Sequence, residues 1–536
     1  TSGSIPIVLS GNAAVMNVLI RANSTSSTPM QVVLRLFNAA GTLVRSDTAV
    51  ATTLGTAPAF SAPSVQLLVP ASVLQAGMRW QVVRDPRNVV PDDVPSNDVF
   101  PATGTQALAA VTVPPVKIRF VPIVLASHNN ATGQVTDAMV PDYLRTLKSV
   151  QPVGVIEASA GTPFTTEASF GTAPSGGDAT FWTRVLGELD LARIADPTGP
   201  SAHWYGVVRP PPGFNFTSYG GFAYIPSSSA ATGANTRTAL GVQLNWFSRP
   251  TQARDLVAHE LAHNFGRRHA PCGGAVGVDP NYPVSNGTLD VAGHDVYSWA
   301  NGLTTGAASV PVTTGDVMGY CFPAWSSTYT YEGVLAFRGS SLDLIQADNT
   351  AHVQRTRVLI IRGAEVRGEM HLEPAFTMTG TPSIPASGRY RVTGIDASGI
   401  VLFSRSFELA TIDHAPDIRH FTLALPATPA LESSLREIRV TGPAGEARLA
   451  GVGTAVVGPG SEGAPAARAA RLIDGTMSVS CTAAATRGIL VLDDETGSVV
   501  AVSSSMSVRA ATRSRSVTVL CSDGVTTTTL TRVAPT

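Results

Sequence analysis

The chain has 536 residues, 44% of them hydrophobic, and its basic and acidic residues nearly balance at 37 against 38. Charged residues make up only 14% and lysine occurs only at Lys117 and Lys148, so no basic field exists to hold a nucleic acid or an anionic membrane. The longest apolar runs, such as residues 5–9 and 358–361, fall far short of the roughly 20 residues of a bilayer span, so no membrane insertion is expected.

The length predicts about three to five domains. Residues 5–113 alternate short β-branched runs (14–20, 31–37, 65–69, 78–83, 107–113) with turn residues, which predicts an all-β, Ig-like sandwich over residues 1–114. Pro114-Pro115 punctuates the chain before a new strand at 116–125. Residues 136–150 then carry Val140, Tyr143, Leu144 and Leu147 at helical spacing, and residues 178–194 carry Phe181, Trp182, Val185, Leu186 and Leu189. Both read as amphipathic helices. Strands at 201–208 and 222–225 and a third helix over 251–266 complete an α+β domain spanning residues 115–340. Beyond Arg338 the β pattern returns, predicting a second sandwich at 341–455. Residues 455–470, rich in Gly, Pro and Ala, read as a linker or long loop, and 456–536 as a C-terminal β-rich domain or extension.

The opening Thr1-Ser2-Gly3 has no initiator Met and no basic-plus-apolar leader, as expected of a processed chain. Four cysteines fall as two local pairs, Cys272 with Cys321 and Cys481 with Cys521, without Cys-x-x-Cys spacing. Two disulfides and an oxidising compartment are expected, with three pairings formally open and buried free thiols as the alternative.

The chemistry is concentrated in His259-Glu260-Leu261-Ala262-His263-Asn264-Phe265-Gly266-Arg267-Arg268-His269, which matches H-E-x-x-H-x-x-G-x-x-H at every specified position. A chance match to the full pattern is on the order of 10⁻⁵. On a helix, His259 and His263 share one face a turn apart and offer ring nitrogens to one zinc, while Val257, Leu261 and Phe265 repeat on another face. Gly266 permits a positive φ, so the chain leaves the helix and returns His269 as a third ligand. Three imidazoles leave a fourth position for water, whose pKa zinc lowers toward about 7. Glu260, beside His259, is the expected general base for peptide hydrolysis.

With these residues the segment from about 115 to 338 resembles the metzincin clan of zinc endopeptidases, in which the long zinc motif is followed by a Met-containing tight turn. Asp316-Val317-Met318-Gly319-Tyr320-Cys321 has that form. The resemblance implies that Met318 is a hydrophobic floor beneath the histidines. It also places Tyr320 where the astacin and serralysin branches carry a tyrosine that stabilises the tetrahedral intermediate; a packed tyrosine is the competing reading. If both segments line one metal site, Cys272 and Cys321 approach each other, and a bridge there staples the site's floor. Gly221, Phe222, Ala223 and Tyr224 occupy the place of the clan's edge strand, where an extended substrate pairs by backbone hydrogen bonds. An interior strand is the alternative.

Weaker features complete the reading. Asp279, Asp295 and Asp316 are candidates for a Ca2+ site but show no spaced ligand loop. The isolated His128, His203 and His294 are assigned to no metal. Asn23, Asn130, Asn215 and Asn286 open N-x-Ser/Thr sequons that matter only in a glycosylating host. Abundant Arg and Ala with scarce Lys suggest a bacterial source. The expected protein is thus a secreted, monomeric zinc endopeptidase acting on extracellular proteins. The alternatives are a mucinase-like protease for glycoproteins and a multi-sandwich adhesin with a vestigial protease domain.

Overall fold

The structure, a computed structural model, describes residues 6–170, 179–198, 201–211, 220–226, 236–246, 252–339, 355–443, 445–451 and 467–535. Asn215 and most of the 455–470 stretch lie outside these. The chain is mostly β with few helices among the described residues, and it divides into two compact units. One comprises residues 1–115, 145–156 and 269–339, the other 116–144, 157–268 and 340–536, so neither is a continuous stretch of sequence.

The second unit is built on a central sheet. β1 (Val116–Leu125) alternates buried and open positions over its first residues and is buried on both faces from Phe120 onward, the pattern of a strand that enters a sheet interior. It pairs in parallel with β2 (Phe164–Thr166) on one side and β3 (His203–Val208) on the other. β4 (Gly221–Ile225) lies antiparallel to β5 (Thr238–Val242), which is itself parallel to β3. The resulting order is β2-β1-β3-β5-β4.

Two helices pack on these strands: α1 (Ala179–Ala195) and α2 (Gln252–Asn264). The expectation of an amphipathic α1 fails. Thirteen of its 17 residues are buried, including Glu188, Asp190 and Arg193, because strands from the C-terminal part of the chain join the same core. Arg193 is tolerated there because Asp190 faces it at 2.9 Å and Thr238 accepts a further hydrogen bond at 3.1 Å. The helix expected over 136–150 is two short pieces, Val140–Tyr143 and Arg145–Val150, interrupted at Leu144.

The C-terminal strands complete the central sheet. β6 (Ala410–Ile412) pairs antiparallel with β4 and with β7 (Ile418–Pro426), while β8 (Val499–Ser503) meets β2 at the opposite margin. One run of strands therefore passes from the 356–426 region through the central sheet into the 488–533 region. Ile360, Phe376, Leu490 and Val499 share one core with Phe181, Trp182 and Phe222.

In the first unit, Met30–Phe37 turns Met30, Val32, Leu34 and Leu36 inward at period two, against Leu67 and Val69 of Val65–Val69. The helix Thr328–Arg338 ends in a buried arginine whose guanidinium donates to the carbonyl of Pro114. Both disulfides form as Cys272–Cys321 and Cys481–Cys521.

Candidate metal centre

α2 carries the first two histidines and the glutamate. Its apolar residues Val257, Leu261 and Phe265 are buried, and so are His259, Glu260 and His263, so the metal-facing side is as enclosed as the packing side. The helix stops through a Schellman arrangement: the Gly266 N–H donates to His263 O at 2.8 Å and the Arg267 N–H to Ala262 O at 3.0 Å, with Gly266 at φ +82°. Asn264 locks the helix to the sheet. Its amide donates to Tyr224 O at 2.9 Å and Thr238 O at 3.1 Å, and its oxygen lies 3.2 Å from Nδ1 of His203. His203, assigned to no metal, thus supports this asparagine.

The tautomer of His263 follows from its partner. Nδ1 lies 2.7 Å from the Arg267 carbonyl, which only accepts, so Nδ1 carries the proton and Nε2 presents a lone pair. That Nε2 stands 3.1 Å from Nε2 of His259. Two nitrogens bound to one tetrahedral zinc at about 2.0–2.1 Å lie about 3.3 Å apart, so the pair has the spacing of a chelate. Burial and the neighbouring His259 hold the His263 pKa well below its ordinary value, which keeps the ring in the ligating form.

Glu260 is fully buried, and neither carboxylate oxygen receives a hydrogen bond among the described residues. Burial first, and the charge of Asp413 second, push its carboxyl well above the usual range. Buried carboxylate oxygens without a donor among the described residues are a setting that a cation stabilises. His259, His263 and His269 bring ligating nitrogens within 4.8 Å of one another and are able to form a zinc site.

The chain passes from one unit to the other at Arg268–His269. In the first unit, His269 Nδ1 donates to Val276 O, and Tyr320 OH is 3.4 Å from His269 Nε2. Asp316–Gly319 forms a tight turn closed by Gly319 N–H to Asp316 O at 2.8 Å, with Met318 buried. This turn is zipped to the stretch after His269 by Ala270 N–H to Met318 O at 2.9 Å, Tyr320 N–H to Cys272 O at 3.0 Å and the Cys272–Cys321 bridge. The three aspartates considered for Ca2+ are engaged separately. Asp316 accepts from Met318 and Ser327 N–H, Asp295 caps Ser298, and Asp279 accepts from Tyr329 OH, so they do not converge on one ion.

Gly221, Phe222, Ala223 and Tyr224 lie on β4 directly over α2, but this strand is not an open edge. Tyr224 pairs with Ile412 and Ile225 with Thr411. The interior-strand alternative is the one observed, and the covering residues lie nearly 190 positions further along the chain. Sequence reasoning missed Asp413 and His414, which follow that strand. Asp413 Oδ2 lies 3.6 Å from His263 Nε2 and 3.0 Å from His414 Nε2, and Glu260, His263 and Asp413 bring ligand atoms within 4.8 Å of one another.

A family model described as Metallo-peptidase family M12B Reprolysin-like matches residues 211–270, a short segment that holds α2 and all three histidines. The match supports a zinc metallopeptidase hydrolase in this part of the chain. No curated protein matches. Among solved structures, β-glucuronidase 3 of Bacteroides uniformis aligns at 11% identity and TM-score 0.14, over 97% of this chain and 76% of that one. A Parabacteroides merdae β-glucuronidase aligns at 10% and 0.13, over 98% and 77%. Likenesses at these scores carry no argument about fold or activity.

Proposed function

We propose that the chain is a secreted zinc-dependent endopeptidase in which His259, His263 and His269 hold the metal and Glu260 is the general base. The observation that carries this reading is the 3.1 Å approach of the His259 and His263 Nε2 atoms beside the buried Glu260 carboxylate on the same helix. Zinc held by these three histidines would activate water and polarise the scissile carbonyl. Glu260 accepts the proton of the attacking water and returns one to the leaving amine, which its enclosed position favours by excluding bulk solvent. The Arg267 and Val276 carbonyls fix the ligand tautomers of His263 and His269. Tyr320, whose hydroxyl lies 3.4 Å from His269 Nε2, would stabilise charge on the substrate oxygen, and Met318 would serve as an apolar floor. The two disulfides and the lack of a helix able to cross a membrane, among the described residues, are compatible with an extracellular protein.

The test is zinc content beside hydrolysis of a broad protein panel, comparing wild type with Glu260→Ala. One equivalent of zinc in both, with the variant slower by roughly 10²- to 10⁴-fold, is expected. Near-full activity of the variant removes Glu260 from the mechanism, and the lack of zinc in both removes the metal centre.

A further inference from the structure

The peptide that would fill the strand position beside β4 is supplied by the protein itself. β6 runs antiparallel to β4 on the side away from β5, which is where an extended substrate would add. The ladder continues past the end of β6. The Asp413 N–H donates to Ala223 O at 3.1 Å, and the Ala223 N–H is accepted by Oδ1 of the same aspartate. One residue thereby engages both backbone groups of Ala223. The His414 ring then stands 5.2 Å from that of Phe222, so residues 411–414 follow residues 222–225 position by position.

The segment also reaches the chemistry. Asp413 Oδ2 points to His263 Nε2 at 3.6 Å and its carboxylate faces Glu260, the place that an attacking water and a scissile carbonyl must share. His414 is held at φ +56°, a left-handed conformation that non-glycine residues seldom adopt. The covering strand is only three residues long. A disfavoured backbone and a short ladder describe an insertion that is made to be displaced rather than a permanent part of the sheet.

We propose that residues 410–414 form an internal pseudosubstrate that holds the peptidase latent until a substrate, a partner or proteolysis displaces it. This rests on the peptidase reading above and adds its regulation. Asp413 is the blocking residue: its backbone holds the substrate strand position and its carboxylate the reaction position.

The test compares full-length, zinc-loaded wild type, Asp413→Ala and Asp413→Asn. Affinity for a peptide hydroxamate, which requires the same strand position and metal, is measured beside hydrolysis of denatured casein. If the open state is a minor population, the variants bind the hydroxamate at least ~10-fold more tightly and show a similar gain in kcat/KM. Amides of Ala223 and Ile225 also exchange faster with solvent. Equal hydroxamate affinity in all three proteins, with thermal melts showing each folded, overturns the latency. Asp413→Asn retains the acceptor for Ala223 and covers the case in which Asp413→Ala does not fold. Tighter hydroxamate binding without casein cleavage supports the latency and sinks the peptidase reading instead.

Discussion

Gly221 and Glu260 are fitted to each other: a Cβ at position 221 would stand 2.6 Å from Glu260 Oε1 and 2.7 Å from the carbonyl of Leu240. β4 crosses α2 at this point only without a side chain. Gly221→Ala is therefore expected to cost about 1–3 kcal/mol of stability and to push the carboxylate out of line. Zinc content should persist while kcat falls. An unchanged melting temperature with unchanged turnover would show that the strand yields without disturbing the base.

Asn264 satisfies the carbonyls of both Tyr224 and Thr238 in a buried position. Asn264→Leu keeps comparable bulk but leaves two buried acceptors unpaired, each worth about 1–3 kcal/mol. The melting temperature should drop by several degrees at full zinc loading. A melt indistinguishable from wild type would mean the carbonyls find other donors.

His420 is enclosed beside the Tyr224 hydroxyl, 2.9 Å away, and burial, aided by the charge of Arg362 against that of Glu373, lowers its pKa to about 4. The unfolded chain protonates this ring near 6.5, so between about pH 6.5 and 4 it binds a proton that the folded protein refuses. Stability should fall as pH drops through that window, by up to about 3 kcal/mol from this ring. His420→Gln should flatten the decline in a pH series of thermal melts. Parallel curves for the two proteins would assign the acid sensitivity to other groups.

The Cys272–Cys321 bridge closes a separation of 49 residues, for which loop entropy alone gives about 4 kcal/mol. The double variant Cys272→Ser/Cys321→Ser should lower the melting temperature and expose the 269–321 region to protease. Digestion patterns matching wild type would show that the hydrogen bonds between the Ala270 and Met318 segments suffice.

The parts of this molecule that depend on neighbours in sequence were readable before the structure. The metal helix follows from i, i+4 spacing closed by a glycine, and β1 coincides with its expected run because the strand is buried on both faces from Phe120 onward. What was unreadable is non-local. α1 has an apolar stripe, yet its polar face is buried too, since the strands covering it begin some 160 residues later. Asp413 stands outside any motif, and nothing in its surroundings marks it; only the pairing of β6 with β4 carries it to Glu260. Covering of the β2 margin by β8 rests on a single pair, Thr165 with Ala501, a signal no local pattern contains.

Because both margins of the central sheet are completed by late segments, the order of synthesis bears on when the protein becomes quiet. α2 has been made once residue 264 is added, but Ile412 and Ala501 follow only after a further 148 and 237 residues. At about 5–20 residues per second, the nascent chain spends roughly 7 to 30 s with the β4 margin bare. Bare margins are templates for strand pairing between chains. A fragment ending near Gly339 would keep the β4 margin bare permanently, so it is expected to associate through that margin where the full chain does not.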